Sequence, residues 1–414
     1  MRIVSRALSS KIIRALVLGA ACAVLAMAAD WTEWRGPHRD GVLINEPKAW
    51  PEKLNLKWKI EVGEGHSSPI LVGDSIYDFA RFNDQETLFA IDPSNGNIRW
   101  KQQYPAPYKV NSAAAGHGPG PKSTPLYANG KLYTFGLSGI LTCWDAKTGK
   151  LEWRKDSSQQ FKAGAPVFGT AMSPIADRGM VIVHIGGDHS GALTAFDATT
   201  GNVKWTWTED GPAYASPIVV ELAGARQVVT QSQLNIIGVD EATGKTLWKI
   251  PFTTNYEQNI VTPVLYKDTL IFSGLDKGVF AVRLTRNGGA FKPQTVWENK
   301  DASMYMNSPV LLGDVLFGFS HLKKGQLFAM DAATGKTLWM GPPRAGDNAA
   351  VLVGKSGLVS LNNEGQLSIV RADAKSFEVL HQYTVADSAT WAHPLVLSDG
   401  VIVKDVKSLA RWGI

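Results

Sequence analysis

Cysteine is nearly absent from this chain, which carries only Cys22 and Cys143 among its 414 residues. Because we expect Cys22 to leave with a targeting segment, the remaining chain has no pair of cysteines for an internal disulfide bond. The sequence also contains no Cys-x-x-Cys-His segment, which excludes a covalently attached c-type haem. Stability must therefore come from the packing of a core.

Long hydrophobic runs are also missing. The uncharged apolar stretch Ala15–Ala29 has about 15 residues, whereas a membrane-spanning helix needs roughly 20. Four basic residues precede this stretch, and Ala26-Met27-Ala28 is an acceptable small-x-small cleavage site. We therefore predict a signal peptide at 1–28, a periplasmic or secreted location and no transmembrane span in the mature chain. A retained anchor is the alternative.

The signal segment also bears on lipidation and charge. Cys22 follows Gly19-Ala20-Ala21, which is only weakly similar to a bacterial lipobox, so we do not expect a lipid anchor there. Lys and Arg exceed Asp and Glu by five, and four of those basic residues lie within the signal. The mature chain is therefore nearly neutral, and its composition does not indicate nucleic-acid binding.

Glycine and tryptophan are, by contrast, plentiful, with 40 and 14 residues. Many tryptophans belong to a recurring pattern in which an apolar strand ends at Asp, a Thr-Gly turn follows, and a second strand carries Trp. The well-formed copies are 88–100, 141–153, 193–205, 236–248 and 327–339, and degraded copies occupy 279–297 and 367–380. A period of this length is typical of propeller blades.

A proline marker precedes each copy and raises the number of units to eight. The markers are Pro69, Pro125, Pro174, Pro217, Pro263, Pro309 and Pro394, with Ala349-Ala350 standing in for one. Proline is tolerated at the first residue of a strand, so each marker predicts the start of an innermost strand. Consecutive blade tryptophans lie 42 to 53 residues apart, which agrees with one four-stranded antiparallel blade per unit.

Local chemistry explains the recurring shape of each unit's last turn. The Asp carboxylate can accept nearby backbone N–H groups, and Gly takes the positive-φ position of the turn. The Trp that follows can wedge its large apolar surface between neighbouring blades. We therefore predict an all-β fold, an eight-bladed β-propeller of four-stranded antiparallel blades.

The two ends of the repeat region predict how the ring closes. The eighth unit ends at 409–412 without residues for a fourth strand, while the segment 54–60 is a strand with no blade of its own. Pairing the two would abolish an exposed sheet edge. The predicted organisation is a signal peptide at 1–28, a leader at 29–53 that packs on the propeller, and the propeller itself at 54–414.

The motif Ala-x-Asp-x-x-Thr-Gly-x-x-x-Trp resembles the tryptophan-docking repeat of pyrroloquinoline quinone (PQQ) propellers. That superfamily includes quinoprotein alcohol dehydrogenases and the propeller lipoprotein of the outer-membrane β-barrel assembly machinery. The leader at 31–41 is similar to the W-x-x-W-R-G-P segment that opens many secreted propellers of PQQ-binding-like type. The resemblance covers nearly all of 54–412 and implies the fold, whereas an activity must be argued from a site.

The chemistry of a quinoprotein dehydrogenase is not recognisable in the sequence. Such enzymes use adjacent cysteines beneath the cofactor and a calcium ion held by acidic and amide side chains, and no residues here match that set. His184 and His189 lack the spacing of a metal pair on one strand face, because residues five apart point to opposite faces. We predict no catalytic residue, no metal site and no cofactor, with PQQ and calcium as the alternative.

Propeller geometry gives a candidate binding region at the mouth of the central channel. The residue three before each proline, and the loops between second and third strands, should lie near that mouth. The candidates are His66, Arg81, Lys122, Tyr214, Asn259, Asn307, Trp391 and His393. Cationic, aromatic and amide groups suit a small polar ligand. Any large propeller lines its solvated channel with polar side chains, however, and the sequence favours that simpler interpretation.

Two functions follow from these patterns. The first is a non-catalytic binding or scaffold propeller of the cell envelope, with an envelope protein or a small polar ligand at the loop face. The second is a PQQ-dependent dehydrogenase of an alcohol or sugar. In it Lys122 or Arg81 would pair with the cofactor's carboxylates, and His66 or His393 would act as base.

Overall fold

The computed structural model describes residues 29–157, 160–161 and 164–414. Within these residues the chain forms eight four-stranded antiparallel sheets, as the repeat predicted. Helix is confined there to three short 3-10 turns, at Ser112–His117, Asn255–Glu257 and Leu322–Lys324. The predicted signal peptide at 1–28, with Cys22, lies outside the described residues.

Each of the first seven blades is a meander of four consecutive strands. Blade 1 comprises β2 (Ile70–Val72), β3 (Ser75–Phe82), β4 (Gln85–Ile91) and β5 (Ile98–Pro105). Blade 2 comprises β6 (Leu126–Ala128), β7 (Lys131–Phe135), β8 (Ile140–Asp145) and β9 (Leu151–Asp156). Blade 3 comprises β10 (Ile175–Asp177), β11 (Met180–Gly187), β12 (Ser190–Asp197) and β13 (Val203–Trp207). Blade 4 comprises β14 (Ile218–Leu222), β15 (Ala225–Gln231), β16 (Asn235–Asp240) and β17 (Thr246–Pro251).

The remaining blades repeat this order. Blade 5 comprises β18 (Val264–Tyr266), β19 (Thr269–Gly274), β20 (Gly278–Asn287) and β21 (Ala290–Asn299). Blade 6 comprises β22 (Val310–Leu312), β23 (Val315–Ser320), β24 (Gln326–Asp331) and β25 (Thr337–Met340). Blade 7 comprises β26 (Ala349–Gly354), β27 (Gly357–Asn362), β28 (Gln366–Val370) and β29 (Val379–Thr384). Blade 8 comprises β30 (Leu395–Leu397), β31 (Gly400–Lys404) and β32 (Ser408–Gly413), with β1 (Asn55–Glu61) as its outer strand.

Strand β1 closes the ring as the sequence predicted. It runs antiparallel to β32, from the pair Asn55 and Gly413 to the pair Glu61 and Ser408. The first strand of the propeller and its last strands therefore share one sheet. This pairing covers an edge that would otherwise be open to another chain.

The predicted tryptophans dock on the following blade. Trp205 of blade 3 is 7% exposed, and its indole Nε1 donates to the Glu241 carbonyl of blade 4 at 2.8 Å. Trp58, Trp153 and Trp297 make the same kind of bond to the next blade, at 3.0–3.2 Å. At these positions the Trp therefore joins neighbouring blades through apolar burial and one directed hydrogen bond. Trp248 differs, because its Nε1 donates to Gln227 of its own blade.

The Asp of each well-formed turn accepts backbone N–H groups, as its sequence predicted. Asp197 accepts from the backbone of Thr199 and Thr200 at 3.1 and 2.9 Å, and Gly201 follows at φ +67°. Hydrogen bonds from Thr200 to the carboxylate lower the pKa of Asp197 to about 2. The turn is therefore held in the shape that receives the Trp of the previous blade.

Candidate functional site

A series of hydrogen bonds joins seven of the eight blades around the central axis, at the residue just before each proline marker. The backbone N–H of that residue donates to the side-chain hydroxyl of the same position in the next blade. The links run from His393 to Ser68, Ser68 to Thr124, Thr124 to Ser173, Ser173 to Ser216, Ser216 to Thr262 and Thr262 to Ser308, at 2.9–3.2 Å. Blades 7 and 8 carry Ala349 and His393 at this position. Neither side chain has a hydroxyl, so neither can accept the link from the preceding blade.

The leader inserts into the axis from the face opposite the channel mouth. The Arg39 guanidinium donates to the carbonyls of Ser173 and Pro174 at 3.0 and 2.8 Å and forms an ion pair with Glu33. Arg35 is fully buried and donates to the Asp40 carbonyl at 3.0 Å and to the Pro309 carbonyl. The two arginines therefore hold the leader to inner strands on different sides of the ring.

Trp34 stands between these arginines and the channel. The guanidinium carbons of Arg35 and Arg39 lie 5.4 and 5.9 Å from the Trp34 ring centroid. The ring also meets His393 edge to face, with centroids 5.6 Å apart. Trp34 thus forms the floor of an axial cavity.

This axial cavity has a volume of about 160 Å³. Aromatic and apolar side chains make up most of its wall. The lining residues are Trp34, His66, Ser68, His117, Lys122, Phe168, Ala171, Tyr214, Gln258, Ile260, Tyr305, Met306, Trp391 and His393. Seven of the eight blades thus contribute the residue three before their inner strand's marker, and Trp34 comes from the leader.

Lys122 is the only Lys, Arg, Asp or Glu side chain among the described residues that line the cavity. Its Nζ donates to the Phe168 carbonyl at 2.5 Å. Burial lowers the pKa of Lys122 to about 8, so the amine is mostly protonated at neutral pH. The cavity therefore carries one positive charge and no side-chain counter-ion of its own.

The histidines of the wall are neutral at pH 7. Burial, aided by the charge of Lys122, lowers the pKa of His66 to about 3 and also lowers the pKa of His117. Burial lowers the pKa of His393 to about 3 as well. The His66 Nε2 atom lies 2.9 Å from the His117 carbonyl and must donate to it, because a carbonyl only accepts.

Two tyrosines complete the polar groups of the wall. The Tyr214 hydroxyl accepts from the Phe168 backbone N–H at 3.3 Å, and burial raises the pKa of this tyrosine. The Tyr305 hydroxyl donates to Gln258 Oε1. The Tyr214 hydroxyl can therefore still donate a hydrogen bond to a ligand, whereas the Tyr305 hydroxyl already donates to Gln258.

Three of the sequence candidates lie outside the cavity lining. Arg81 is 3% exposed and donates to the Ala106 carbonyl at 2.8 Å. Asn259 is fully buried, and its side-chain amide donates to backbone carbonyls of neighbouring loops. Asn307 is 4% exposed and donates to Asn348 at 3.4 Å. These three side chains therefore bond to the scaffold around the mouth and do not line the cavity.

Sequence reasoning missed several residues of the cavity. His117 and Phe168 lie in the connections between β5 and β6 and between β9 and β10. The two longest tryptophan spacings, of 53 and 52 residues, mark these long connections and were the available signal. A loop's length does not reveal which of its side chains turns back to the axis, so the residues themselves could not be named.

His184 and His189 lie in different parts of blade 3. His184 is 2% exposed within β11, whereas His189 lies in the turn after that strand at φ +57°. Throughout the described part of the chain, no three His, Cys, Asp or Glu side chains are grouped to hold a metal ion. Helices there are also all too short or too polar to cross a membrane.

The fold and its docked tryptophans define the class of PQQ-type repeat propellers. Residues 84–341 match the family described as outer membrane protein assembly factor BamB, and the chain belongs to that family. The BamB of Shewanella oneidensis is 27% identical over 240 residues, which are 55% of this chain and 59% of that protein. Less than two thirds of that relative is therefore covered.

Dehydrogenases of the same superfamily are also similar. Quinohemoprotein alcohol dehydrogenase ADH-IIG of Pseudomonas putida is 26% identical over 204 residues, covering 48% of this chain and 26% of the enzyme. Among solved structures, a europium-containing methanol dehydrogenase superposes with a TM-score of 0.68 at 14% identity, covering 93% of this chain and 98% of that chain. At such identity the superposition shows the fold alone.

Proposed function

We propose that this chain is a non-catalytic, periplasmic or secreted β-propeller of the cell envelope that binds other envelope proteins. Membership in a family described as an assembly factor supports this role. The predicted signal peptide supports the location. The observation that carries the proposal is the chemistry of the axial cavity, because that is where a propeller of this class would hold a cofactor.

The cavity does not fit PQQ with a calcium ion. Calcium takes six to eight oxygen ligands, usually with carboxylates among them, and no Asp or Glu is present among the described lining residues. PQQ carries three carboxylates on three fused rings, and Lys122 is the one Lys or Arg among the described lining residues that could pair with them. The other expected cation, Arg81, is engaged with the Ala106 carbonyl outside the cavity. The alternative, a PQQ-dependent dehydrogenase, therefore lacks the charged side chains that would bind the cofactor and its calcium ion.

The loop face around the cavity offers a surface for a protein partner. Tyr256, in the connection between β17 and β18, is 86% exposed and two residues from Gln258 of the cavity. Tyr256 and Glu257 both adopt positive φ, at 60° and 56°. Exposed tyrosines are favoured in binding hot spots, and strained residues persist where a function needs them. We therefore place the partner contact on this face.

The first test separates binding from catalysis. We expect titration of the purified chain with PQQ, with and without calcium, to give no saturable heat. We also expect dye-linked assays with alcohols and sugars to show no turnover. Saturable PQQ binding accompanied by turnover would overturn the non-catalytic proposal.

The second test locates the partner. A photo-crosslinking amino acid at Tyr256 should give a defined protein adduct in cells. The matched control is Asp74, exposed in the turn between β2 and β3 on the opposite face. Equal adducts at both positions, or none at Tyr256, would contradict the assignment to the loop face.

A further inference from the structure

The volume of the axial cavity indicates the size of the ligand group that it can hold. An engineered apolar cavity of about 150 Å³ holds benzene, and the axial cavity has a similar volume of about 160 Å³. A molecule with a single six-membered ring and one small substituent therefore matches the space.

The wall favours a flat ring. The His117 and Trp391 rings meet edge to face with centroids 5.0 Å apart, and Phe168 and Tyr214 do so at 6.0 Å. Trp34 closes the floor. Aromatic rings prefer such edge-to-face or offset contacts, so an aromatic ligand can join this arrangement at several points.

Two polar groups of the wall bond to the same residue. The Lys122 amine and the Tyr214 hydroxyl each bond to the backbone of the same residue, Phe168, through its carbonyl and its N–H. The ammonium group has two further N–H donors and Tyr214 has its own proton to give. Two donors that meet beside one residue, one of them charged, suit a carboxylate group.

The other polar groups add little hydrogen-bonding capacity. His66 already donates to the His117 carbonyl, and Tyr305 to Gln258. His393 is 8% exposed, and its Nδ1 atom has no hydrogen-bond partner among the described residues. A sugar needs hydrogen bonds around its whole rim, whereas most of this wall is aromatic or apolar and its one charged group is Lys122 among the described lining residues.

We infer that the axial cavity binds a small aromatic monocarboxylate. The carboxylate pairs with Lys122 and accepts a hydrogen bond from the Tyr214 hydroxyl. The ring lies among Trp34, Trp391 and Phe168. This binding is independent of the proposed partner role, since it uses the interior of the channel and not its outer loops.

Benzoate is the probe that tests the inference, with benzamide as its neutral counterpart. Calorimetric titration of the full chain should give saturable benzoate binding at least tenfold tighter than benzamide. The substitution Lys122→Met should remove that preference, whereas Lys101→Met, at an exposed position of β5, should leave it unchanged. Equal affinity for the two probes, no saturable benzoate binding up to millimolar concentration, or full benzoate affinity in Lys122→Met would overturn it.

The pH dependence gives a second readout that needs no variant. An anion binds the protonated amine, so benzoate affinity is highest below the Lys122 pKa of about 8 and falls as pH rises through it. Between pH 7 and pH 9 we expect about a tenfold loss for benzoate and none for benzamide. A flat benzoate profile over this range would contradict the inference.

The substitution Tyr214→Phe tests the same site independently, in case Lys122→Met does not fold. It keeps the ring and removes only the hydroxyl, so we expect a several-fold loss of benzoate affinity with the benzamide affinity retained. Unchanged benzoate affinity in this variant would remove Tyr214 from the site.

Discussion

At the scale of single residues, a docked tryptophan such as Trp205 lies against a glycine in the next blade. A Cβ atom on Gly244 would lie 2.4 Å from the Trp205 ring, and the residue itself has φ +71°. The position therefore requires glycine for two separable reasons, the backbone conformation and the close approach of the indole. A sequence motif alone cannot divide the two.

Gly244→Ala and Gly130→Ala separate these reasons. Gly130 has nearly the same conformation, φ +79°, and a Cβ atom added there would meet nothing within 4 Å beyond its chain neighbours. We expect Gly130→Ala to cost about 1–2 kcal/mol of unfolding free energy from backbone strain. Gly244→Ala should cost about 1–3 kcal/mol more, because the Trp205 ring must move. Chemical denaturation measures both, and equal losses would show that the indole contact contributes nothing.

At the scale of elements, each sheet lies within one blade. Side-chain hydroxyls near the start of the inner strands link one blade to the next. Thr262 accepts from the Ser216 N–H at 3.1 Å and donates to the Ser216 carbonyl at 3.1 Å. Both residues are buried, so neither group can turn to water instead. One hydroxyl thus satisfies a donor and an acceptor of the preceding blade.

The substitution Thr262→Val tests this link, because it keeps the shape and removes the hydroxyl. It should lower the unfolding free energy by about 1–3 kcal/mol, the cost of leaving buried polar groups unpaired. Thr206→Val, at an exposed position of β13, is the control and should change stability by less than about 0.5 kcal/mol. Comparable stability of the two variants would mean that the hydroxyl links between blades do not stabilise the fold.

The same strand geometry explains how much of the site the sequence could predict. Prolines mark the same point in seven of the eight blades. Side chains alternate along an inner segment, so the residues three before these prolines, such as His66, Lys122 and Tyr214, face the axis. Asn307 is two residues before its proline, so it faces away from the axis. The strand order and ring closure follow from local repeats, whereas a side chain's partners depend on the packed neighbours.

At the scale of the whole molecule, the ring has one seam where its two ends meet. Blade 8 contacts blade 1 there, and β1 from the start of the propeller completes the sheet that ends with β32. A fully buried ion pair crosses this seam, with Lys404 Nζ 3.0 Å from Asp78 Oδ2. Burial raises the pKa of Asp78, since desolvation outweighs the attraction of Lys404. The pair therefore joins the seam at a substantial desolvation cost.

A double-mutant cycle tests whether the Asp78–Lys404 ion pair stabilises the fold or instead selects the closed ring over exchange between chains. Asp78→Asn alone leaves the Lys404 charge buried without its counter-ion, and Lys404→Met alone leaves the Asp78 carboxylate in that state. Each single variant should lose about 3–5 kcal/mol of unfolding free energy. The double variant should recover most of that loss, because two neutral side chains carry no buried charge. Denaturation midpoints of the four proteins measure the cycle, and additive losses in the double variant would contradict this account. Recovery of stability accompanied by a second oligomeric form in size-exclusion chromatography would show that the pair selects the closed ring over exchange between chains.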